Sequence, residues 1–67
     1  MPYSEPNTSD LILSTRIINA RQACGYTQPQ LALRMGVKKS TIANWEESRT
    51  SPRANKLVEL AGILNVP

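Results

Sequence analysis

Apolar residues recur at Leu13, Ile17, Ala20 and Cys24, at intervals of four, three and four, and so fall on one stripe of an α-helix. This predicts a first helix over residues 11–24, capped at its start by Thr8, Ser9 or Asp10 and ended by Gly25 in a left-handed conformation. Thr27 followed three residues later by Gln30 is a capping box, and Tyr26 just before it is placed to staple onto Leu31. The second helix carries Leu31, Ala32 and Met35 inward and stops at Gly36, and Pro29 in its first turn forfeits no needed donor. Val37, Ile42 and Trp45 share the apolar side of a third helix over residues 39–47, whose cap position, near Lys38, lacks a good capping side chain. Ser51-Pro52 reads as an N-cap with proline at the first helical position, opening a fourth helix with Leu57, Leu60, Ala61 and Leu64 as its stripe. Asn65 with Val66 after it fits a left-handed cap and its hydrophobic contact.

No segment alternates with period two, and no internal repeat or low-complexity tract is present. The expected class is therefore all-α: a flexible arm over residues 1–9, then one compact four-helix domain over residues 10–67. Residues 28–47 hold two short helices separated by a tight turn containing glycine, and such a pair crosses steeply around a small shared core. Ala32 permits close approach, Gly36 tolerates positive φ, and Ile42 with Trp45 lock the second helix onto the first. This is a helix-turn-helix.

Length and composition narrow the chemistry. A chain of 67 residues is one small domain with no room for a sizeable internal active site. With no histidine and one cysteine, an intrachain disulfide, a metal cluster and a Cys/His nucleophile pair all lack members. No cofactor, metal or small-molecule substrate is expected, and an enzyme is the remotest reading. No apolar run approaches the ~20 residues of a membrane span, and the polar start is unlike a signal peptide, so a cytoplasmic protein without a membrane partner is expected. The net charge of +3 conceals a partition. Between residues 11 and 45 stand Arg16, Arg21, Arg34, Lys38 and Lys39 with no acid, whereas beyond Trp45 bases and acids balance. Such a block suits phosphates, with a merely solvated basic face as the alternative.

The chain resembles the phage repressor and Cro-like, XRE-type, helix-turn-helix family. The resemblance runs from about residue 13 to 66 and is carried by Arg16-Ile17, Arg21, Thr27-Gln28, Leu31-Ala32, Met35-Gly36-Val37, Ser40-Thr41-Ile42, Trp45-Glu46, Pro52, Leu57, Leu60-Ala61 and Leu64. It implies a lambda-repressor-like helical bundle whose third helix lies in the DNA major groove, usually as a dimer on a two-fold operator. The function expected is sequence-specific binding of double-stranded DNA by a prokaryotic or phage transcriptional regulator, a repressor acting as a homodimer on a palindromic operator. The rival reading is a protein-interaction module, such as an antitoxin that also binds its own operator, motivated by off-stripe Leu11, Ile12, Ile18, Leu33, Val58 and Ile63.

With Ile42 and Trp45 inward, the helical wheel turns Ser40, Asn44 and Glu47 outward, flanked by Lys39 and Ala43 on one side and Thr41 on the other. Lys39, Ser40 and Asn44 are the candidate base readers and Ala43 a candidate contact for a thymine methyl, against the alternative of a solvated polar face. Glu47 either accepts from cytosine N4 or forms an ion pair. Gln28, at the start of the second helix, and Lys38, Thr41, Arg49, Thr50 and Arg53 are candidate phosphate contacts, Arg53 also reaching a narrow minor groove. Arg21 and Glu46 resemble the family's partly buried ion pair, with Arg21 as a phosphate contact the alternative. Trp45 is assigned to the core rather than to base stacking, and Cys24 to a small apolar position rather than to redox sensing.

Three departures stand out. Lys38 replaces the family's common Ser or Thr cap, and Ser48 stands where glycine is common, which puts the loop backbone there in question. Family domains also usually continue into a fifth helix, so the chain is read as a fragment lacking a C-terminal oligomerisation or sensor region.

Overall fold

A computed structural model describes residues 8–65, with the side chains of residues 12–65. Among these residues there are four helices and no strand: α1 (Thr8–Ala23), α2 (Gln28–Met35), α3 (Lys39–Glu46) and α4 (Ala54–Leu64). None of them is long and apolar enough to cross a membrane.

The capping box opens α2: Thr27 Oγ1 accepts from the Gln30 amide at 3.2 Å, and Gln30 Oε1 accepts from the Thr27 amide at 2.8 Å. Each of the first three helices ends in the same way. At Gly25, Gly36 and Ser48 the backbone turns left-handed, with φ of +77°, +70° and +60°. In each case the next residue's amide reaches back five positions, from Tyr26 to the Arg21 carbonyl, Val37 to Ala32 and Arg49 to Asn44. Glycine carries no β-carbon to oppose this conformation, whereas a non-glycine residue there costs about 1–2 kcal/mol.

The core gathers one stripe from every helix. Leu31 of α2 and Ile42 of α3 are completely enclosed, with Ile17, Ala32, Met35, Trp45, Leu60 and Leu64 buried around them. Leu13, Ala20, Tyr26, Val37 and Ile63 pack against this cluster from its margin.

Several expectations require correction. Helix α1 begins at Thr8, so Thr8, Ser9 and Asp10 lie within it and its cap position lies outside the described residues. Residues 8 and 9, read as the end of the arm, are therefore part of the first turn of α1. Cys24 lies past the end of α1 and is exposed, its Sγ donating to the Leu64 carbonyl at 3.3 Å. Its place on the stripe lapsed because the left-handed corner at Gly25 ends the helix one residue sooner. Likewise, α4 starts not at Pro52 but at Ala54, with Arg53 as an N-cap that makes no side-chain bond. Pro52 is instead buried in the connection, where its ring packs. Leu57, assigned to the inner stripe, is 38% exposed.

Candidate nucleic-acid interface

Helix α3 owes its orientation to its own apolar side. Ile42 and Trp45 are buried against the rest of the core, which turns Lys39 and Ser40 to the exposed side, with Thr41, Ala43 and Asn44 half-buried beside them. Lys38 occupies the N-cap in extended backbone and supplies no side-chain bond to the helix start. Its ammonium is exposed immediately before Lys39, so two cations stand at the positive end of the helix dipole.

The other end of α3 is clamped to α1 and α2 by a charged network. Arg21 Nε donates to Glu46 Oε2 at 2.6 Å and Nη2 to Oε1 at 3.1 Å, a two-point pairing that fixes both planes. The remaining nitrogen, Nη1, donates to the Tyr26 carbonyl at 2.9 Å. Gln28 joins through Nε2, which donates to Glu46 Oε1 at 3.0 Å. The side chains of Arg21 and Glu46 are 13% and 5% exposed, so bulk water competes little for either charge.

The corner following α3 starts at Glu47. Asn44 contributes more than a side chain there, because its carbonyl accepts from the amides of Arg49 at 2.9 Å and Thr50 at 3.4 Å. Arg49 and Glu47 form an exposed ion pair at 3.1 Å. Arg53 is exposed one residue before α4.

The acid-free block does not project as a single basic face. Arg21 is held by Glu46, which lies outside the block in sequence, and Arg34 sits over the Tyr26 ring, 5.3 Å from its centroid. Arg16 lines a groove of about 730 Å³ between α1 and α4, with Leu13, Ile17, Leu57, Leu60 and Leu64. Of the five bases, only Lys38 and Lys39 belong to the start of α3. Two side-chain-to-side-chain links that hold the end of α3 or the start of α2 went unread in the sequence. The Gln28 bond to Glu46 is one; the other joins Ser48 Oγ, as donor, to Ser14 Oγ at 2.9 Å. Ser14 is buried and shares the face of α1 that carries Ile17 and Arg21, a helical spacing from which it was recoverable.

A short helix seated by its apolar side on another, joined to it at a left-handed glycine and turning a polar face outward, defines a helix-turn-helix domain. The chain belongs to the helix-turn-helix family, whose model matches residues 17–67. It is similar to the HTH-type transcriptional regulator ImmR of Bacillus subtilis (strain 168), with 32% identity over 54 residues that make up 81% of this chain and 42% of that protein. The matched segment thus covers less than half of this relative's length.

Proposed function

We propose that this domain binds double-stranded DNA in a sequence-specific manner as part of a transcriptional regulator, with α3 in the major groove. The observation that carries the reading is the two-sidedness of α3, whose enclosed Ile42 and Trp45 leave Lys39, Ser40, Ala43 and Asn44 on the side away from the core. Asn44 offers a donor and an acceptor matched to adenine N6 and N7, Lys39 donates to guanine O6 or N7, Ser40 suits several base edges, and Ala43 meets a thymine methyl. Gln28, Lys38, Thr41, Arg49, Thr50 and Arg53 hold the backbone on either side. Gln28 keeps a second amide hydrogen for a phosphate while Glu46 accepts the first, so the same carboxylate that clamps Arg21 also steadies this contact.

In this reading the protein is a repressor acting as a homodimer in the cytoplasm. Two copies of α3 meet palindromic half-sites about 34–36 Å apart, and the domain acts by binding alone. Selection of bound sequences from a random duplex library is the direct test: enrichment of a palindrome supports the reading, and equal binding of every duplex sinks it. On the selected site, Asn44→Ala is expected to lower discrimination at one base pair by about 1–3 kcal/mol while leaving binding to random duplex unchanged, as a competition titration would show. Glu47→Gln is expected to strengthen binding to all duplexes by roughly two- to five-fold, more at low salt, because it removes an anion and releases Arg49 toward phosphate.

A second reading, a protein-interaction module, is favoured by the apolar groove between α1 and α4 and by Leu33 and Val58, which are 84% and 73% exposed. It requires that charge substitution at Leu57, on the groove wall, abolish a protein contact and leave DNA affinity intact.

A further inference from the structure

Of the three left-handed corners that join successive helices, two are made by glycine and the third by Ser48. The exception coincides with a hydrogen bond of a kind that glycine could not make. Ser48 Oγ donates to Ser14 Oγ at 2.9 Å, and Ser14, on α1, is only 6% exposed. Ser14 and Arg21 lie seven residues apart on one face of α1, and both hold the same end of α3, Arg21 through Glu46 and Ser14 through Ser48. The backbone immediately after Ser48 closes on the recognition helix, since the Arg49 and Thr50 amides both donate to the Asn44 carbonyl.

We infer that the Ser14–Ser48 hydroxyl pair is a positioning latch. It touches no DNA; it sets the corner so that Arg49 and Thr50 reach phosphate while Asn44 faces the bases. The inference rests on the DNA-binding reading and adds to it two residues that would not themselves touch the DNA. Without the latch a left-handed corner can still form, but the segment that follows loses this hydroxyl tie to α1.

The decisive comparison is Ser48→Gly with Ser14→Ala, Ser14→Thr and the double variant Ser14→Ala/Ser48→Gly. Glycine favours the left-handed turn and removes the latch, so it separates stability from positioning. Ser48→Gly is expected to keep or raise the melting temperature, yet to exchange the Arg49 and Thr50 amide hydrogens about ten-fold faster. Affinity for the selected duplex should fall about five-fold, with the salt slope reduced by about one. Ser14→Ala should reproduce the exchange and salt effects, Ser14→Thr should restore them, and the double variant should be no worse than either single change. A merely structural pair would lower the melting temperature and leave the salt slope of the folded protein unchanged. That result, or unaltered exchange in Ser48→Gly, overturns the latch. Equal binding of selected and random duplex by the parent protein would overturn the DNA reading and the latch together, whereas a parent that discriminates and variants that match it would overturn the latch alone.

Discussion

Glu46→Ala is expected to leave the domain largely unfolded at ambient temperature. Its carboxylate is 5% exposed and serves Arg21 twice and Gln28 once, so truncation strands a guanidinium that is itself only 13% exposed. Removing one partner of a buried pair costs about 3–5 kcal/mol, chiefly because the remaining charge is desolvated and uncompensated. Domains of this size rarely hold more than roughly 3–5 kcal/mol in their cores. Since each kcal/mol shifts the midpoint of so small a domain by about 4–8 °C, thermal melting followed by circular dichroism would register the loss without ambiguity. The sign of the pair's own contribution is a separate matter. Arg21→Met/Glu46→Leu, which removes both charges and keeps apolar volume, should be more stable than either single truncation. A loss below about 1 kcal/mol for Glu46→Ala would show that water reaches the network and that the clamp is weak.

Ile42→Ala is expected to destabilise by about 2–5 kcal/mol, against about 0.5–1.5 kcal/mol for Ile42→Val. Ile42 is fully enclosed and belongs to the core cluster with Leu31 and Ala32 of α2, so the cavity opens where α3 is seated. Close packing leaves the surroundings little room to collapse into that space. Urea titration checks the ordering: the midpoint should fall in steps from Ile to Val to Ala, with the denaturant slope unchanged if the fold persists. Equal midpoints for Val and Ala would mean that neighbouring helices close the gap.

Much of α2 was legible because its signals are local. Thr27 and Gln30 cap each other within one turn, and Gly36 takes a conformation that disfavours a β-carbon. The inward sides of α2 and α3 were equally readable, since Leu31, Ala32, Met35, Ile42 and Trp45 repeat at helical spacing and all are buried. Signals with several local outcomes read less well. Ser51-Pro52 satisfies the rules for a helix start, yet the chain defers α4 to Ala54 and buries Pro52. Cys24 fits the stripe of α1 by spacing alone, and Gly25 removes it from the helix.

The candidate site divides along the same line. That Lys39, Ser40, Ala43 and Asn44 share the side of α3 away from Ile42 and Trp45 follows from a period of 3.6 residues and requires no partner. The basic block was less readable, because a charge is described only with its neighbours in space. Glu46 neutralises Arg21 across 25 positions, and aromatic Tyr26 takes Arg34. Ser48 is the sharpest instance. Its departure from glycine put the loop backbone in question, yet the corner is left-handed all the same, and its hydroxyl bonds to Ser14 of α1, 34 positions away.

The order of the helices, the capped start of α2, the glycine corners at Gly25 and Gly36, and the separation of an apolar from a polar side of α3 were determined by the sequence itself, because each depends on residues within a turn or two of one another. Only the tertiary structure decided which charges remain exposed, how Gln28 is held and how the last corner is secured. Those outcomes depend on contacts between helices, and no periodicity along the chain encodes the distance between two side chains that folding brings together.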